Sequence, residues 1–83
     1  MKNSKGVTIQ TIPQRSVLYE LGVRAGDSIV SVDDNRIGDI IDLMFYSADV
    51  PRVLKIKRDM DTFIVNIPSD CETDIFYGVG FQP

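Results

Sequence analysis

At 83 residues the chain has room for one domain, which buries roughly 60% of the surface its unfolded form exposes, and a second domain does not fit. With 43% hydrophobic and 25% charged residues and no repeat or low-complexity tract, it is not of a fibrous or disordered class; disorder is expected only over residues 1–5. A net charge of -3 with scattered basic residues argues against nucleic acid as a partner, and no apolar run is long enough for a signal peptide or a membrane span.

In chain order, residues 7–12 alternate Val7, Ile9 and Ile12 with Thr8, Gln10 and Thr11, the pattern of a half-buried strand that Pro13 ends. Ser16 then caps a short helix that turns Val17, Leu18 and Leu21 to one side, and Gly22 supplies its left-handed end. Gly26 and Asp27 turn the chain into a strand over 28–33 carrying Ile29, Val30 and Val32. Asp33, Asp34 and Asn35 form a turn that tolerates positive φ, and Arg36 and Ile37 supply a very short strand. Asp39 caps a helix over 40–48, too apolar to be exposed and expected across the mouth of a sheet; Pro51 closes it. Two more strands follow over 52–58 and 62–67, facing Leu54, Ile56, Phe63, Val65 and Ile67 inward and Lys55 and Lys57 outward. A hairpin at 59–61 joins them, and an acidic stretch over 69–74 leads to the closing run Ile75-Phe76-Tyr77-Gly78-Val79-Gly80-Phe81.

This order of elements, with Gly6-Val7-Thr8-Ile9 as an opening strand, the run from Gly22 through Gly26-Asp27-Ser28-Ile29 to Val32-Asp33, and Asp42-Leu43 in the second helix, resembles a PDZ domain. The resemblance covers nearly the whole chain and implies a mainly β (α+β) fold, a partly open barrel of five to six strands with two helices. The carboxylate-receiving Gly-Leu-Gly-Phe loop that opens animal signalling PDZ domains has its counterpart at the other end, in Gly78-Val79-Gly80-Phe81. That arrangement resembles the circularly permuted bacterial type. Asp39-Ile40-Ile41-Asp42, the hairpin and the terminal glycine run together resemble the N-terminal PDZ module of bacterial proteins related to radical-SAM iron-sulfur enzymes. The resemblance implies that the chain is a fragment ending where a cysteine-bearing catalytic region begins. Cys71 alone does not match a three-cysteine cluster motif, so no cofactor is assigned to this chain.

The residues themselves offer little chemistry. Without histidine, the Ser-His-Asp and Cys-His nucleophile arrangements and the usual zinc sites lack their imidazole, so the chain is not expected to be an enzyme. The pairs Asp33-Asp34 and Asp59-Asp61 lack the spacing of a calcium loop and read as turns. Cys71, which cannot form an internal disulfide, points to a reducing cytoplasm; Asp70 and Glu72 beside it make a poor nucleophile of it. Phe45 and Tyr46 read as core.

The glycines of the closing run let backbone N–H groups point into one concavity and leave a strand edge to which an extended peptide can add. By the resemblance, the second helix forms the opposite wall, where helical spacing puts Ile40, Met44 and Ser47 on one face. The candidate peptide-binding residues are therefore Gly78, Val79, Gly80, Phe81, Ile40, Met44 and Ser47. The alternative at this point is that the segment from Tyr77 to Phe81 is simply the last strand of a barrel. Asp70, Glu72 and Asp74 before it repel a free carboxylate, which favours an internal segment or a downstream part of the same polypeptide, and Pro83 lacks a ladder N–H. The expected function is thus a non-catalytic peptide-binding or docking module of a larger bacterial enzyme; the rivals are a permanent structural interface, within the chain or between copies, and a regulatory PDZ module of a protease.

Overall fold

The computed structural model describes residues 6–71 and 74–82; the expectations for residues 1–5, Glu72 and Pro83 lie outside the described residues. The elements are β1 (Val7–Thr11), α1 (Val17–Glu20), β2 (Ser28–Val32), β3 (Asn35–Arg36), α2 (Ile40–Tyr46), β4 (Val53–Arg58), β5 (Asp61–Asn66) and β6 (Gly80–Phe81). All pairings are antiparallel and the strand order is β5-β4-β2-β1-β6. β3 pairs with β2 at Ser31 and Val32, while β1 pairs with it at Ser28 and Ile29. The fold is mainly β, an open six-stranded sheet with two short helices.

Two register shifts explain why the inward residues do not strictly alternate. In β2, Ile29 opposes Ile56 and Ser31 opposes Lys55, so Val30 is an extra residue in the ladder. Strict alternation would send Ile29 and Val32 to opposite faces; the extra residue turns both inward, and both are fully buried. β1 does the same between Ile9 and Thr11, which lets Ile12 join the core side with Val7 and Ile9. Leu54 and Ile56 of β4 and Val65 of β5 complete the sheet's apolar face, with Ile67 just beyond. Each such buried aliphatic side chain contributes about 1.5–3 kcal/mol.

Both helices are set by their caps. Ser16 Oγ accepts from the Tyr19 N–H at 3.0 Å and places Leu18 in the core, and Gly22 at φ +102° ends the segment. Asp39 Oδ1 accepts from the Asp42 N–H at 2.9 Å, and Asp42 Oδ2 accepts in turn from the Gly38 N–H at 2.9 Å, a reciprocal cap. α2 is shorter than expected, and of its side chains only Leu43 is buried. Phe45 and Tyr46 are therefore not core: Phe45 is 73% exposed and the two rings meet edge to face at 5.0 Å. The physical reason is length. A helix of seven residues touches the sheet along one short stripe, and Leu43 occupies it.

The turn before β2 carries an ion pair between buried Asp27 and the partly exposed Arg58. Asp27, 2% exposed, accepts from Arg58 Nε at 2.8 Å, from Arg58 Nη2 at 2.7 Å and from the Arg24 N–H at 2.8 Å. Burial works against its charge, but the Arg58 hydrogen bonds, the Arg24 amide and the charges of both arginines outweigh it and hold the carboxyl below its ordinary range.

Candidate functional site

The reciprocal cap fixes where α2 begins, and burying Leu43 fixes its roll. Ile40, Met44 and Ser47 then stand on the side that faces the end of the chain. Opposite them, the turn over 74–78 carries Ile75 and Phe76 to the same place as Phe81 of β6, with the two phenyl rings 6.0 Å apart. A groove of about 520 Å³ lies between these walls, and Val50 and Pro51 continue its apolar lining. Ile40 and Met44 are 41% and 68% exposed, so one wall presents apolar surface to solvent.

β6 stands at the end of the strand order. Its inner edge is taken: Gly80 opposes Thr11, Phe81 opposes Ile9, and the Gln82 N–H donates to the Thr8 carbonyl at 2.9 Å. Among the described residues, no strand pairs with its outer edge. The turn leading into β6 is internally bonded. The Phe76 N–H donates to Asp74 Oδ1 at 3.0 Å, the Tyr77 N–H to the Asp74 carbonyl at 3.1 Å, and the Val79 N–H to the Phe76 carbonyl at 3.0 Å.

Of the residues expected from the sequence, Ile40, Met44, Ser47 and Phe81 line the groove together. Ser47 lends it little polarity, since its hydroxyl donates to the Leu43 carbonyl. Gly78, Val79 and Gly80 are not in the lining: Gly78 is exposed in the turn beside Pro13, Val79 packs against the core, and Gly80 sits in the ladder against Thr11. Sequence reasoning missed Ile75, Phe76, Val50 and Pro51. The signal for the first two is an adjacent apolar pair directly after an acidic stretch.

Among the described residues, the charged side chains in the lining are Asp49 and Asp74, and no lysine or arginine lines the groove. A neighbouring hollow of about 320 Å³ shares Asp74 and Ile75 and is bordered by Arg15, Val17 and Tyr77. Cys71, expected in a polar loop, is half-buried and packs against the core. Among the described residues, no group of three or more histidine, cysteine, aspartate or glutamate side chains gathers to hold a metal, and no helix is long and apolar enough to cross a membrane.

Compared with protein-family profiles, with curated proteins and with solved structures, the chain matches none.

Proposed function

We propose that this chain is a PDZ-like docking module of the permuted type, which takes an extended peptide segment between α2 and the outer edge of β6 without catalysing a reaction. The observation that carries the reading is the apolar groove bounded by Ile40 and Met44 on the helix and by Phe76 and Phe81 beside an edge strand. A peptide added to that edge gains main-chain hydrogen bonds from β6, and its alternate side chains enter the groove. The downstream part of a longer polypeptide is one source of such a segment. Titrating short apolar peptides while following backbone amide shifts tests the reading: shifts are expected at Gly80, Phe81 and along α2, and their absence with every peptide overturns it.

A second reading, a permanent interface, draws support from the other side of α2, where Ile41 and Phe45 are 71% and 73% exposed. Light scattering separates the two. Under the interface reading the chain is a dimer that Phe45→Ser converts to a monomer; under the docking reading it is a monomer throughout.

A further inference from the structure

The charge around the groove narrows the ligand, given the docking reading just proposed. We infer that the occupant is a cationic apolar segment held internally, with lysine or arginine between its apolar anchors, and not a free C-terminal carboxylate.

Two independent observations lead there. First, among the described residues the charged groups in the lining are both negative, Asp49 beyond the end of α2 and Asp74 on the facing turn; Arg15 borders the neighbouring hollow that Asp74 and Ile75 also line, and not this groove. The Asp74 carboxylate is held in place by the Phe76 N–H at 3.0 Å, so its charge stays at the groove and does not swing away. A ligand lying between these carboxylates meets a negative potential from both sides, which attracts an ammonium or guanidinium and repels a carboxylate. Second, three of the backbone amides that lead into β6, those of Phe76, Tyr77 and Val79, already have partners. A terminal carboxylate needs N–H groups turned toward it. The Phe76, Tyr77 and Val79 amides instead donate to Asp74 Oδ1, the Asp74 carbonyl and the Phe76 carbonyl. Binding a chain terminus there requires breaking these bonds as well as overcoming the repulsion. An internal segment avoids both costs, because its carbonyl and amide groups pair with the edge of β6 and it carries no terminal charge.

The test uses the full chain and three probes: acetyl-Val-Lys-Val-Lys-Val-amide, its acidic twin acetyl-Val-Glu-Val-Glu-Val-amide, and the lysine peptide with a free carboxylate. The lysine amide is expected to bind about tenfold tighter than the acidic twin at low salt, with the gap closing as salt rises. The free-carboxylate form is expected to be weaker than the amide. In the Asp49→Asn, Asp74→Asn double variant, the preference should fall below about threefold. Asparagine keeps the Oδ1 acceptor for the Phe76 amide, so this variant removes charge without removing the turn.

Equal or tighter binding by the acidic or free-carboxylate peptide overturns the inference and leaves the groove reading standing. A lysine preference that survives in the double variant overturns the assignment to these two carboxylates. No amide shift with any of the three overturns the groove reading itself, and this inference falls with it.

Discussion

Arg58, at the last position of β4, reaches back to Asp27 at the turn before β2 and holds it by two parallel hydrogen bonds, Nε to Oδ1 at 2.8 Å and Nη2 to Oδ2 at 2.7 Å. The same guanidinium also donates to the Gly22 carbonyl at 2.8 Å, so one side chain ties the end of the α1 turn, the start of β2 and the β4–β5 hairpin together. Residues 31 positions apart in sequence are thereby locked in one arrangement.

This pair makes stability depend on pH. The folded-state pKa of Asp27 lies below its ordinary 3.8, so ionised Asp27 stabilises the fold in full above that value, and the contribution is lost as pH falls through the folded pKa. Thermal midpoints are expected to be flat with respect to this group above about pH 5 and to fall below about pH 4. Asp27→Asn should cost about 2 kcal/mol at neutral pH, about 10 °C in Tm, and should lack this share of the acid slope. Parallel acid slopes for the two proteins would contradict the assignment.

Gly6 is a second point where one atom decides. Its φ is +77°, and a Cβ there would stand 2.4 Å from the Ile29 carbonyl oxygen and 2.9 Å from Val30 Cγ1. Gly6→Ala should destabilise by about 2 kcal/mol or more, since both the backbone conformation and the contact resist it. Gly22→Ala meets no atom within 4 Å and should cost only the backbone term, about 1 kcal/mol. Denaturation midpoints of the two variants give the ranking directly.

Asp33 binds the β2–β3 turn to the start of β4. Its Oδ1 accepts from the Arg52 and Val53 amides, each at 2.9 Å, while its own backbone sits at φ 49°. Asp33→Asn keeps the acceptor and tolerates that conformation, so its urea midpoint should stay close to that of the parent chain. Asp33→Ala loses both and should cost about 1–2 kcal/mol.

Met44 separates binding from folding. At 68% exposed it contributes little to the core, so Met44→Ala should leave Tm within about 2–4 °C. It should nonetheless weaken an apolar peptide in the groove by about fivefold, read from amide-shift titration. A large loss of Tm with unchanged peptide binding would place Met44 in the core instead.

How much of this was legible beforehand follows from how local each feature is. The caps at Ser16 and Asp39, the closing Gly22 and the turn at Asp33-Asp34 depend on neighbouring residues, and the structure bears them out. The strand register was readable only in part. Ile29 and Val32 share a face because of an extra residue in the ladder, and that depends on β4, far along the chain. The Asp27–Arg58 pair left no local trace at all. Phe45 is apolar yet exposed because the width of the contact between α2 and the sheet, and not apolar character, decides burial there. For the groove, helical spacing sufficed to find Ile40, Met44 and Ser47. The folded turn that delivers Ile75 and Phe76 depends on Asp74 accepting amides from its own neighbours, a conformation that competes with the strand the apolar run suggests.

The pairing of β1 with β6 also has a mechanical side. Because Gln82 bonds to Thr8, the chain comes into the sheet and goes out of it at the same end of one antiparallel pair. Tension applied between those two points loads the β1–β6 hydrogen bonds one after another, as in opening a zipper, and not all together as in shear. The two-residue β6 is then the first element to peel away. Phe81 of β6 lines the groove, so peeling β6 away takes down part of one wall before it disturbs the Ile29, Val32 and Leu54 core.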